Sequence, residues 1–160
     1  MIPLLHEAIL RTRTFHWLDE QQCAACARSL ATRPALRDAI IELHGPLGAG
    51  KTTFVRHLLR ALGVSGRIKS PSYAVLEPYE AEGLAIAHLD CYRFDDAHEW
   101  VDAGLRDVFA AAGLKLVEWP ENAAGQLPPA DLRLSIDPQD DGARHVTADA
   151  LSARGEELLA

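Results

Sequence analysis

The stretch Gly45-Pro46-Leu47-Gly48-Ala49-Gly50-Lys51-Thr52 restricts this chain more than any other. It satisfies the pattern G-x-x-x-x-G-K-[ST] at every required position. The apolar run Ala39-Ile40-Ile41-Glu42-Leu43 precedes it. An amphipathic segment follows, predicted to bury Phe54, Leu58, Leu59 and Leu62, to expose Arg56, His57 and Arg60, and to stop at Gly63. Strand, glycine loop and helix in that order make a corner suited to an anion. Glycines let the backbone curl so that successive N–H groups converge. The helix start adds unpaired donors and the positive end of its dipole. The expected ligand is ATP, held by Gly45, Leu47, Gly48, Ala49, Gly50, Lys51, Thr52 and Thr53. Lys51 brings a mobile charge to the β- and γ-phosphates, and the Thr52 hydroxyl is a ligand for Mg2+.

A phosphate loop of this kind also needs a carboxylate near the metal. Two apolar runs end in one: Leu84-Ala85-Ile86-Ala87-His88-Leu89-Asp90 and Leu114-Lys115-Leu116-Val117-Glu118. In a parallel sheet both would deliver their acids to the edge that carries the loop. One acid would hold the metal and the other would orient or deprotonate the attacking water, and either assignment suits either residue. Ser70 and Ser72, around Pro71, stand where a hydroxyl can sense the γ-phosphate, or where it can simply close a turn. His88 reads as a strand histidine, because no partner stands at metal-ligand spacing. Trp119 reads as packing with one edge toward a ligand.

Elsewhere the pattern predicts a strand over Thr14 to Leu18. Asp19 then caps a helix with Gln22 three residues on, and Cys23, Cys26, Ala27 and Leu30 share its inner face. Pro34 ends that helix or bounds the loop after it. Tyr73 to Tyr79 and Leu84 to Asp90 are expected strands about a turn at Gly83. Asp96 to Ala112 is an expected helix interrupted at Gly104, and Leu114 to Trp119 an expected strand stopped by Pro120. Gln126 to Ala130 reads as loop. Leu132 to Ile136 and Arg144 to Ala148 form a hairpin about Asp140-Asp141-Gly142, with a short helix after it. The fold class is α/β, a P-loop NTPase-like sandwich with a mostly parallel central sheet and antiparallel additions.

With 160 residues and a net charge of -7, the chain fits one domain that does not grip nucleic acid through a basic surface of its own. Its three cysteines cannot build a disulfide framework. Cys23 and Cys26 have CxxC spacing but no second ligand pair, so they read as core residues. The N-terminal ten residues lack a charged leader and a cleavage site, and no run is long enough to span a bilayer. The expected setting is cytoplasmic, with no membrane association.

Five strings taken in order add a resemblance: Gly48-Ala49-Gly50-Lys51-Thr52-Thr53-Phe54, Lys69-Ser70-Pro71-Ser72-Tyr73, Glu77-Pro78-Tyr79, His88-Leu89-Asp90-Cys91-Tyr92-Arg93 and Glu118-Trp119-Pro120. From about Phe15 to about Ile136 the chain resembles the bacterial TsaE family, small ATPases of tRNA threonylcarbamoyladenosine synthesis. The resemblance implies an ATPase acting with the TsaB–TsaD heterodimer, which modifies the adenosine beside the anticodon of tRNAs that read ANN codons. Contact with tRNA would be indirect, through that complex. It further implies that Thr52 and Glu118 bind Mg2+, that Asp90 is the catalytic acid beside Lys51, that Ser72 occupies the switch position, and that Trp119 lies beside the nucleotide. Residues 1–160 would then be a single P-loop ATPase domain, with 1–12 an N-terminal extension. Two positions depart from the family. Pro46 stands where Asp is usual, which removes an N–H donor and a carboxylate, and Ser72 stands in a switch that usually reads Ser-Pro-Thr.

The enzymatic alternative is a small-molecule kinase of the P-loop class. Such enzymes close an arginine-bearing lid over the phosphate, whereas Arg106, Arg133, Arg144 and Arg154 are scattered. A guanine-reading switch protein would need an N-K-x-D-type motif, and neither Lys69 nor Lys115 sits in one.

Overall fold

The computed structural model describes residues 8–69, 71, 76–93 and 104–160. Its elements run β1 (Arg11–Trp17), α1 (Glu20–Ala31), β2 (Ile40–His44), α2 (Lys51–Ala61), β3 (Leu76–Ala81), β4 (Leu84–Asp90), α3 (Leu105–Ala110), β5 (Leu114–Glu118), β6 (Leu132–Pro138), β7 (Arg144–Ala150) and α4 (Ala153–Leu159). Short 3-10 turns at Pro34–Asp38 and Pro120–Ala123 lead out of α1 and β5. All seven strands form one sheet in the order β1-β7-β6-β2-β5-β4-β3. The four central strands β6, β2, β5 and β4 are parallel, and β3, β7 and β1 are added antiparallel. The α/β class and the mostly parallel centre are as the sequence predicts.

Local chemistry explains the boundaries. Asp19 caps α1 by accepting from the Gln22 N–H at 3.0 Å, and the Gln22 side chain accepts from the Leu18 N–H at 2.7 Å. That is the reciprocal exchange of a capping box, displaced by one residue. α2 ends where Gly63 N–H bonds to the Arg60 carbonyl and Val64 N–H to the Leu59 carbonyl, the paired bonds of a Schellman ending. All five residues of β5 are buried, as a central parallel strand covered on both faces requires.

Alternation along β4 and β5 divides the interior. Ile86, Leu114 and Leu116 join the larger cluster under α1 and α2, with Ile41, Leu43, Phe54, Leu58 and Val146. Ala87, Leu89 and Val117 face the other way and pack with Leu105 of α3. Trp17 at the end of β1 stacks on Phe54 of α2 at 5.5 Å between ring centres, an arrangement that adds about 0.5–1.5 kcal/mol beyond area burial. Cys23 is buried and Cys26 half-buried against the same cluster, on the core side of α1 as expected.

Several bounds differ from the sequence pattern. β1 begins at Arg11 because Arg11, Thr12 and Arg13 pair with Ala150, Asp149 and Ala148, although their side chains are exposed and carry no apolar signal. Leu62 is only half-buried at the end of α2, and His57 is half-buried, 2.8 Å from Glu20 of α1. β5 stops at Glu118, one residue early, because Trp119 adopts a left-handed φ of 56°. The first part of the strand expected from Tyr73 and of the helix expected from Asp96 lies outside the described residues, as do Ser70 and Ser72. Among the described residues no helix is long and apolar enough to cross a membrane.

Candidate functional site

The parallel register fixes the site. β2 pairs with β5 so that Leu43 stands opposite Glu118, and β5 pairs with β4 so that Glu118 stands opposite Asp90. The three strands therefore end together, and the chain leaving β2 passes straight into the glycine loop. Gly45 begins that loop at φ +150°, where a Cβ would sit 2.6 Å from the Ile136 carbonyl oxygen. No larger residue fits there without moving β6. Across the loop, Ala49 N–H closes a turn on the Pro46 carbonyl at 3.0 Å, and Gly50 at φ +109° hands the chain to α2. Pro46 thus stands at the start of the turn, where its carbonyl accepts the Ala49 N–H.

Lys51 opens α2 and is 4% exposed. Its Nζ donates to the Gly45 carbonyl at 2.5 Å and lies 3.5 Å from the centre of the Trp119 ring. Burial lowers its pKa, while the carboxylates of Glu118, Glu121 and Asp90 pull it back up. The lysine is thus folded over the loop, held by a carbonyl and an aromatic face.

Thr52, the next residue, places its hydroxyl 3.0 Å from both oxygens of Glu118, a residue 66 positions away. Glu118 is 2% exposed. A buried carboxylate beside a hydroxyl, with a second carboxylate paired to it across β4 and β5, is a hard-oxygen set of the kind that suits Mg2+. Asp90 is half-buried, and Tyr92 N–H donates to its Oδ1 at 2.9 Å. Burial raises its pKa most, and Glu118 adds to the rise. The Tyr92 N–H, His88 and Lys51 act the other way. Trp119, next to Glu118, meets Tyr92, two residues past Asp90, edge-on at 4.9 Å, and the two rings form one aromatic wall. The structure brings Lys51, Thr52, Asp90, Glu118 and Trp119 together.

Two residues enter the site that the sequence pattern set aside. His88 is 1% exposed, and its Nε2 lies 2.6 Å from Glu118 Oε2. Part of the signal is local: His88 precedes Asp90 by two on the same face of β4, and the register that pairs Asp90 with Glu118 brings the second acid near the ring. Arg144, one of the scattered arginines, donates from Nε to the Ala49 carbonyl at 2.7 Å and from Nη1 to the Gly142 carbonyl at 2.6 Å. β7 runs antiparallel to β6, so its first residue returns to the edge where the loop lies. Arg144 also lines a recess of about 170 Å3 beside the loop, with Trp17, Glu20, Cys23, Gly50 and Thr53.

Residues 17–146 match the family described as threonylcarbamoyl adenosine biosynthesis protein TsaE. The tRNA threonylcarbamoyladenosine biosynthesis protein TsaE of Haemophilus influenzae is 40% identical over 120 residues, covering 75% of each chain. The protein of the same description from Bacillus subtilis is 36% identical over 119 residues, 74% of each. The crystal structure of Bacillus subtilis YdiB superposes with a TM-score of 0.78 at 28% identity, over 95% of this chain and 94% of that one. The chain belongs to the TsaE family, which serves tRNA threonylcarbamoyladenosine biosynthesis.

Proposed function

We propose that the chain is a P-loop ATPase that supports threonylcarbamoylation of the adenosine beside the anticodon in tRNAs reading ANN codons, acting with a TsaB–TsaD complex in the cytoplasm. The observation that carries the ATPase reading is the contact between Thr52 and Glu118 at the end of three aligned strands, with Asp90 beside it and Lys51 at the loop. Each residue then has a task. The loop amides from Gly45 to Thr53, Pro46 excepted, receive the phosphates, and Lys51 leaves the Gly45 carbonyl and the Trp119 ring to meet the β- and γ-phosphates. Thr52 and Glu118 would hold Mg2+, which when bound neutralises charge on the phosphates. Asp90 accepts a proton from the water that attacks the γ-phosphorus, while the bond to ADP breaks. Its raised pKa suits a proton acceptor better than that of an exposed aspartate. Ser72, by its place in the sequence, would supply the hydroxyl that senses the γ-phosphate.

A net charge of -7 leaves the tRNA to the partner proteins in this reading. Following the γ-phosphate of labelled ATP tests the reaction class. Release as inorganic phosphate, faster with TsaB–TsaD present, is the expected outcome. Transfer to a small metabolite would support the small-molecule kinase instead.

A further inference from the structure

The metal-side carboxylate has a second neighbour whose task is unassigned. Glu118 Oε2 is 2.6 Å from His88 Nε2, and both side chains are almost fully withdrawn from solvent. The other ring nitrogen, Nδ1, is also buried and makes no hydrogen bond among the described residues. That asymmetry assigns the tautomer from the hydrogen-bond pattern: a proton on Nε2 is donated to the carboxylate, and Nδ1 keeps only a lone pair. The reverse tautomer would bury an unpaired N–H and set two acceptors 2.6 Å apart. The Thr52 hydroxyl has one proton and sits 3.0 Å from each carboxylate oxygen, so it can satisfy only one of them at a time.

We propose that His88 is a positioning residue that occupies Oε2 of Glu118, so that Oε1 and the Thr52 hydroxyl are presented together as the ligand pair for a divalent cation. The proposal rests on the reading of Thr52 and Glu118 as the magnesium site. A buried glutamate has three side-chain torsions to restrain, and the His88 ring held on β4 beside it restrains the last of them. Outer partners of this sort commonly change metal affinity by about 10–100-fold when removed. A histidine that merely fills the core would share the burial but would leave metal affinity unmoved.

The test measures the Mg2+ concentration at which a fluorescent, non-hydrolysable ATP analogue reaches half of its metal-dependent tightening, alongside its affinity in EDTA. His88→Leu removes the donor, His88→Asn keeps an amide too short to reach Oε2, and His88→Gln restores an N–H near the Nε2 position. Leu and Asn variants are expected to raise the Mg2+ midpoint about tenfold or more, with affinity in EDTA changed by less than about twofold, and Gln to return the midpoint toward the parent. If the Leu variant does not fold, the Asn and Gln pair decides. Thr52→Ala and Glu118→Gln serve as controls. If they shift the midpoint and the His88 variants do not, the positioning role is wrong and the metal site stands. If neither set shifts it, the metal-site reading itself fails and the positioning role with it.

Discussion

Lys51 Nζ lies 3.5 Å from the centre of the Trp119 ring, on a tryptophan whose backbone is held at φ 56°. A bulky residue in the left-handed region is a true outlier, and Pro120 behind it disfavours the right-handed helical alternative. The strained position aims the indole face at the one lysine the loop possesses. When phosphates arrive they compete with that face for the charge, so Trp119 emission should change on addition of ATP. Trp119→Phe should abolish most of that change, and a signal undiminished in that variant would contradict the contact. Lys51→Ala should weaken ATP binding by about 1.5–3 kcal/mol, the range for hydrogen bonds to charged groups, read by titration of a fluorescent analogue.

How much of this was legible in the sequence depends on how local the signal is. The loop is a contiguous string, and its strand and helix are adjacent runs, so the strand–loop–helix corner that carries Lys51 and Thr52 is legible directly. Asp90 and Glu118 each end an apolar run, which marked them as candidates. Their pairing needs the parallel register of β4 with β5, a long-range fact that no local pattern carries. Arg144 reaches the loop only because β7 returns antiparallel to β6, and its own neighbourhood reads as an ordinary hairpin. The exposed start of β1 has no sequence signal for a related reason, since an edge pairing of polar residues leaves no hydrophobic alternation to read.

Asp90 should be a stability cost in the absence of ligand. Its pKa is raised in the folded protein, chiefly by burial and next by Glu118. The folded state therefore binds the Asp90 proton more tightly than the unfolded chain does. That contribution is fully present below the ordinary aspartate range and is lost as pH rises through the raised value. Asp90→Asn should consequently unfold at a higher temperature than the parent at pH 7, with the gap closing as pH is lowered below the ordinary range. Thermal unfolding followed by circular dichroism across pH checks this. An Asn variant less stable at pH 7 would contradict it. The same variant should keep ATP bound while losing hydrolysis.

Arg144 ties the returning hairpin to the phosphate loop through the Ala49 carbonyl. Removing that charged donor should leave the carbonyl unpaired and the loop less well held, weakening ATP binding by about tenfold, or about 1.4 kcal/mol. Calorimetric titration of Arg144→Leu with an ATP analogue and Mg2+ is the measurement. Parental affinity would show that the loop holds its shape without β7.

The most direct measurement is repeated threonylcarbamoylation of a tRNA that reads ANN codons by TsaB–TsaD, with phosphate release recorded in the same reaction. Addition of the parental protein should sustain successive rounds of modification and raise phosphate release. Lys51→Ala and Asp90→Asn should do neither. Sustained modification without the protein, or equal support from both variants, would contradict the assignment of this phosphate loop to the modification cycle.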